Sequence, residues 1–132
     1  MLDDYGKFVD STTSAESKFT GDFIARLGQL QQQHKNIHFS RLMTSAIGML
    51  AESGEFTEVM KKIFFQGKVL TEDERFHMKR ELGDVLWYWI QGCIALGYSP
   101  EEVMEENINK LEKRYPNGFE VFRSENREKG DI

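Results

Sequence analysis

The chain has 132 residues and a mass of 15.4 kDa, the size of one domain, which excludes separate binding and catalytic modules. Seventeen Lys and Arg stand against 22 Asp and Glu, and the resulting net charge of −5 excludes a general coat for nucleic acid while leaving room for a small anion held by a metal. Ten Phe and two Trp exclude a disordered chain, and the single Cys93 excludes both an internal disulfide and a CxxC zinc site.

The opening MLDDYGKFVD lacks the basic flank and apolar run of a signal peptide. No stretch reaches the roughly 20 apolar residues that span a bilayer, so no membrane partner and a cytoplasmic location are expected. A short amphipathic helix is expected over 4–10, followed by a Ser/Thr-rich break over 11–17. Thr20 offers a cap for a second helix running to about Gln33. The third helix spans 37–65 and stops before Gly67. The fourth opens on Thr71 and Glu74 as a capping box and runs to Leu96, with Gly97 suited to the left-handed position beyond its end. Ser99, Pro100 and Glu102 open a fifth helix, which stops at Tyr115 and Pro116. The tail, 117–132, shows no periodicity, and nowhere does the pattern alternate as a strand does. The fold class is therefore all-α, organised as N-terminal helices over 1–36, a helical core over 37–115 and a tail over 116–132.

The informative residues are acids placed where apolar side chains belong. Glu52 and Glu55 are spaced i, i+3 on the third helix and share their stripe with Phe56 and Val59. Glu81 and Asp84 repeat the spacing on the fourth, beside Val85 and Tyr88. Either pair alone reads as a solvated surface; two such pairs on adjoining apolar stripes do not. Four carboxylates brought together repel one another and demand a cation. Oxygen donors with no Cys or His partner suit a hard divalent ion, Mg²⁺ or Mn²⁺, which keeps coordination positions for a substrate phosphate. On the fifth helix Asn107, Lys110 and Arg114 line one side at i, i+3 and i+7, an amide and two cations suited to phosphate, with Leu111 beside them as a core contact. Lys61, Lys62 and Lys68, near the turn after the third helix, are further phosphate candidates.

These residues stand in a familiar order. Glu52-Ser53-Gly54-Glu55 followed by Glu81-Leu82-Gly83-Asp84 resembles the ExxE…ExxD signature of the MazG-like all-α nucleoside triphosphate pyrophosphohydrolases. Ala46-Ile47-Gly48-Met49 before the first pair, Lys61-Lys62 after it, Val85-Leu86-Trp87-Tyr88 after the second, and Asn107-Ile108-Asn109-Lys110-Leu111 with Arg114 extend the likeness over 42–114. It is similar to the compact single-domain versions, including those encoded by phages, whose place of action is the host cytoplasm.

The resemblance implies Mg²⁺-dependent hydrolysis of (deoxy)nucleoside triphosphates to monophosphate and pyrophosphate, in nucleotide-pool control or clean-up, with Mn²⁺ as a substitute. Glu52, Glu55, Glu81 and Asp84 would take the metal-ligand positions, and Asn107 and Lys110 would match downstream family positions at the substrate. Glu52 or Glu55 would also accept the proton of the attacking water. The family builds a four-helix core completed by a second subunit, as a dimer or a dimer of dimers. The helices argue for the same outcome, since three of them carry apolar residues around much of their circumference. His38, Phe39, Trp87 and Tyr88 are candidates to stack on or hydrogen-bond a base. Cys93, between Ile90 and Ile94, reads as a small buried apolar residue.

Three other readings compete. Glu74 and His77 form an ExxH, the element of di-iron bundles, but the chain lacks the second such pair, because Gln31 and Lys35 precede His34 and His38. His77 itself, four before Glu81, is placed to approach a metal but reads more simply as a partly exposed histidine near a helix start. A non-enzymatic helical module that recruits a basic partner explains the net charge but not the mixing of acids with Phe56, Val59 and Tyr88. Within the enzyme class, the alternatives are dUTP, phosphoribosyl-ATP or a guanosine tetraphosphate alarmone as substrate.

Overall fold

The computed structural model describes residues 1–127. Among these residues the secondary structure is helical, with no strand, as the spacing predicts. In chain order the helices are α1 (Leu2–Thr12), α2 (Ala15–Lys18), α3 (Thr20–Gln33), α4 (Phe39–Phe65), α5 (Glu72–Leu96), α6 (Pro100–Arg114) and α7 (Val121–Glu125). Two of them differ from expectation. Helix α2 forms inside the Ser/Thr-rich break, where the Ser14 hydroxyl accepts the Ser17 N–H at 3.4 Å, and α7 forms inside the tail. Thr20 is the first helical residue rather than the cap, a place taken by Phe19, which has no side-chain acceptor to offer.

The other ends follow their sequence signals. Thr71 Oγ1 accepts the Glu74 N–H at 3.2 Å, but the Glu74 carboxylate turns to Lys68 at 2.5 Å instead of closing the box. At α6 both halves of the capping box form: Ser99 Oγ accepts from the Glu102 N–H at 3.1 Å, and Glu102 Oε2 accepts from the Ser99 N–H at 2.6 Å. Gly97 takes φ 80°, a left-handed value. With it, the N–H groups of Tyr98 and Gly97 bond the carbonyls of Cys93 and Ile94 at 3.0 and 3.2 Å and close the end of α5 as a Schellman motif.

Helices α4 and α5 run antiparallel and form the main seam of the molecule, with α3 leaning on α4 and α6 touching α5. Small residues make the close approach possible. Ser45 is fully buried and its hydroxyl donates to the Tyr88 carbonyl at 2.7 Å. A Cβ on Gly48 would lie 2.2 Å from Tyr88 Cδ1, and one on Gly92 would lie 2.6 Å from Ser45 Oγ, so only hydrogen fits at either position. The His38 N–H, at the start of α4, bonds the Ala95 carbonyl at 2.8 Å and ties the same ends together. Around this seam the large apolar side chains remain open: among the described residues the buried apolar ones are Val59, Cys93 and Ala95. No helix among the described residues is long and apolar enough to cross a membrane.

Candidate metal centre

The seam sets the register of the acids. Glu52 and Glu55 stand one and two turns beyond Gly48 on α4, while Asp84 and Glu81 stand one and two turns before Tyr88 on α5. Because the helices are antiparallel, the contact between Gly48 and Tyr88 delivers both pairs to one level. A carboxylate oxygen from each of Glu52, Glu81 and Asp84 lies within 4.8 Å of the others. A second set of the same spacing joins Glu55, Glu81 and the imidazole of His77. All four expected carboxylates are thus brought together, and Glu81 belongs to both sets.

The electrostatics are those of crowded like charges. The Glu81 side chain is only 8% exposed, and His77 Nε2 lies 2.9 Å from its Oε1. Partial burial first, then the negative charges of Glu55, Asp84 and Glu81 and a hydrogen bond with Glu81, hold the Glu52 carboxyl above its ordinary value. A hard divalent cation fits this donor set, since it supplies the positive charge that the carboxylates lack and takes oxygen ligands. Val59, buried on α4 one turn beyond Glu55, closes the apolar stripe past the acids.

The other sequence candidates are placed as follows. Lys62 lies 3.5 Å from Glu58, which also pairs with Lys61, and Lys68 pairs with Glu74, so the acidic partners of these three lysines are other than the four acids. Trp87 is 54% exposed, whereas Tyr88 is half-buried against Gly48; their rings meet edge to face at 4.8 Å. Asn107, Lys110 and Arg114 all lie on α6, where the Arg114 guanidinium sits 5.9 Å from the centre of the Tyr115 ring. His38 serves as the N-cap residue of α4. Phe39 lines an apolar groove of about 300 Å³ between α3 and α4, whose other walls include Phe23, Leu30, Met43 and Arg26. Cys93 is buried as expected.

His77 is half-exposed near the start of α5, as expected, but the expectation that the acids have no His partner is corrected, since its Nε2 lies 2.9 Å from Glu81 Oε1. Its i, i+4 spacing to Glu81 was legible, but its neighbour Glu55 comes from the other helix and depends on the interhelical register.

Comparison with known proteins agrees with this geometry. The MazG nucleotide pyrophosphohydrolase domain matches residues 42–119, a span that contains all four acids and α6. The "Gene 37 protein" of Mycobacterium phage L5 is 34% identical over 82 residues, covering 61% of this chain and 72% of that protein. No solved structure matches the chain. With the domain match covering more than half of the chain and the ExxE and ExxD pairs assembled in space, the chain belongs to the MazG nucleotide pyrophosphohydrolase family.

Proposed function

We propose that the protein is a Mg²⁺-dependent nucleoside triphosphate pyrophosphohydrolase that releases pyrophosphate and a monophosphate from (deoxy)nucleoside triphosphates. The observation that carries this reading is the convergence of Glu52, Glu55, Glu81 and Asp84 within a chain of this family. When bound, the metal neutralises triphosphate oxygens and lowers the pKa of the attacking water. The chain's own part is to hold that ion on four carboxylates mounted on two rigid helices, with Glu81 fixed by burial. Glu52 or Glu55 also accepts the proton of the attacking water. Asn107, Lys110 and Arg114 on α6 supply an amide and two cations for the phosphates, with Lys62 and Lys68 as further contacts once their acidic partners are exchanged for substrate. Trp87, with its exposed ring, is the residue suited to a base, with Tyr88 edge-on behind it.

The active species is a homo-oligomer, a dimer or a dimer of dimers. Leu50 is 77% and Ile47 66% exposed on α4, and Leu82, Leu86, Met104 and Ile108 are open on α5 and α6. Apolar surface of this extent on the central helices needs a partner, and a second copy supplies the missing half of a four-helix core.

The test is product analysis on a panel of NTPs and dNTPs, with dUTP, phosphoribosyl-ATP and an alarmone included, in Mg²⁺, in Mn²⁺ and in EDTA. Pyrophosphate together with a monophosphate, released only with metal, is the expected result, and the ranking names the substrate. Orthophosphate as the product, or turnover that survives EDTA, would overturn the assignment.

A further inference from the structure

Helix α1 carries an apolar stripe that its own chain leaves uncovered. Leu2, Tyr5, Phe8 and Val9 fall within about 120° of one another around the helix axis. The Tyr5 and Phe8 rings stack at 6.3 Å, yet no residue of α1 is buried. The groove between α3 and α4 is an apolar surface of matching length. It runs from Phe23 to Leu30 on one helix and from Phe39 to Ala46 on the other, a rise of seven residues in each case; Leu2 to Val9 is also a rise of seven, about 10 Å. Charge matches as well. Residues 23–51 contain Arg26, Lys35 and Arg41 but no Asp or Glu, in a chain whose net charge is −5. Arg26 lines the groove and has no ion-pair partner among the described residues. Helix α1 brings Asp3, Asp4 and Asp10 against the single Lys7, so an acidic helix faces basic, acid-free walls. The same aspartates suit α1 poorly to an anionic lipid surface, which selects helices rich in Lys and Arg. Within one chain α1 stands clear of the groove. Lys18 Nζ donates to the Asp10 carbonyl at 2.8 Å and pairs with its carboxylate at 3.6 Å, while α2, which carries Lys18, packs on α3, and no α1 residue lines the groove.

We propose that α1 is an exchanged arm: the α1 of one copy lays Leu2, Tyr5, Phe8 and Val9 into the α3–α4 groove of a second copy, with Arg26 of that copy set against its aspartates. The exchange is reciprocal, so the contact is made twice in a dimer. It is separate from the open face of Ile47 and Leu50, and it rests on the reading of the active species as a homo-oligomer.

The experiment places a photoreactive benzophenone amino acid at position 8 of the full chain, co-expressed with an affinity-tagged copy that lacks it, and maps the cross-links by mass spectrometry. Cross-links from position 8 to the groove residues of the tagged copy are expected. Sedimentation equilibrium of Phe8→Asp and of Arg26→Glu supplies the second measurement. Each should weaken self-association by about tenfold or more, the order expected when a buried aromatic or a paired arginine is lost from a contact. Adding Asp3→Lys and Asp4→Lys to Arg26→Glu should recover part of the loss, because the charges are then exchanged rather than removed. Phe8 and Arg26 are exposed in the single chain, so an unchanged circular dichroism spectrum identifies the effect as docking rather than unfolding. Cross-links confined to one chain, cross-links that miss the groove, or unaltered association in both variants overturn the arm and leave the homo-oligomer standing. A parent protein that sediments as a monomer overturns both.

Discussion

The Tyr88 ring occupies the space where any side chain on Gly48 would have to stand, 2.2 Å from an added Cβ. This contact is one turn from Glu52 on one helix and one turn from Asp84 on the other, so the packing that joins the helices also aligns the acids.

Gly48→Ala should therefore act on both stability and metal binding. Overpacking of this kind costs about 1–3 kcal/mol, because the ring must leave its place or the helices must part. Urea denaturation should show that loss, and Mg²⁺ titration of the folded variant should show weakened affinity although no ligand has been altered.

Ser45→Ala is expected to be milder. It removes the hydroxyl that donates to the Tyr88 carbonyl at 2.7 Å, a net contribution of about 1 kcal/mol, and it leaves the close approach of Gly92 intact. Comparison of the two denaturation midpoints ranks the steric contact above the hydrogen bond; equal losses would reverse that ranking.

Glu55→Gln and Asp84→Asn should abolish pyrophosphate release while the far-ultraviolet circular dichroism is retained, since both residues are exposed. Full activity in either variant would remove that residue from the site.

Glu81→Gln separates stability from activity. Its carboxylate is buried among like charges, so neutralising it should raise the melting temperature of the metal-free protein. The same variant should lose the stabilisation that added Mg²⁺ gives the parent, a gain that follows from binding to the folded state alone.

Two glutamates on α4 should impose opposite pH dependences on the metal-free chain. The Glu52 carboxyl is raised above its ordinary value, so the folded state holds a proton that the unfolded state releases; the resulting stability is present at low pH and lost as pH rises through the raised value. The Glu58 carboxyl is lowered, first by its hydrogen bond from Lys61, so its contribution is present above the ordinary carboxylate range and lost on acidification. Denaturation followed in EDTA from acid to neutral pH should show the first slope flattened in Glu52→Gln and the second in Glu58→Gln.

Much of this architecture was legible because it is encoded within single helices. The i, i+3 acids, the Ser99 cap and the left-handed Gly97 each depend on neighbours a few residues away. Helices α2 and α7 escaped because four or five residues are too few to display a period. The Thr71 box was half right: Glu74 found a stronger partner in Lys68, and its Oε2 is buried without a hydrogen bond. His77 is the exposed residue that its place on α5 predicts, whereas its position beside Glu55 follows from how two glycines allow α4 and α5 to approach.

Glu52 stands at the middle of the 27-residue α4, and Glu81 and Asp84 stand near the middle of α5. At such positions the main-chain N–H groups are spent on the helix itself, unlike the free amides of a helix terminus or a glycine-rich loop. On these two helices a bound nucleotide would meet no backbone cradle. Side chains, and any cation they hold, are what these helices would present to it, and substitution of one side chain at a time can therefore dissect their contribution.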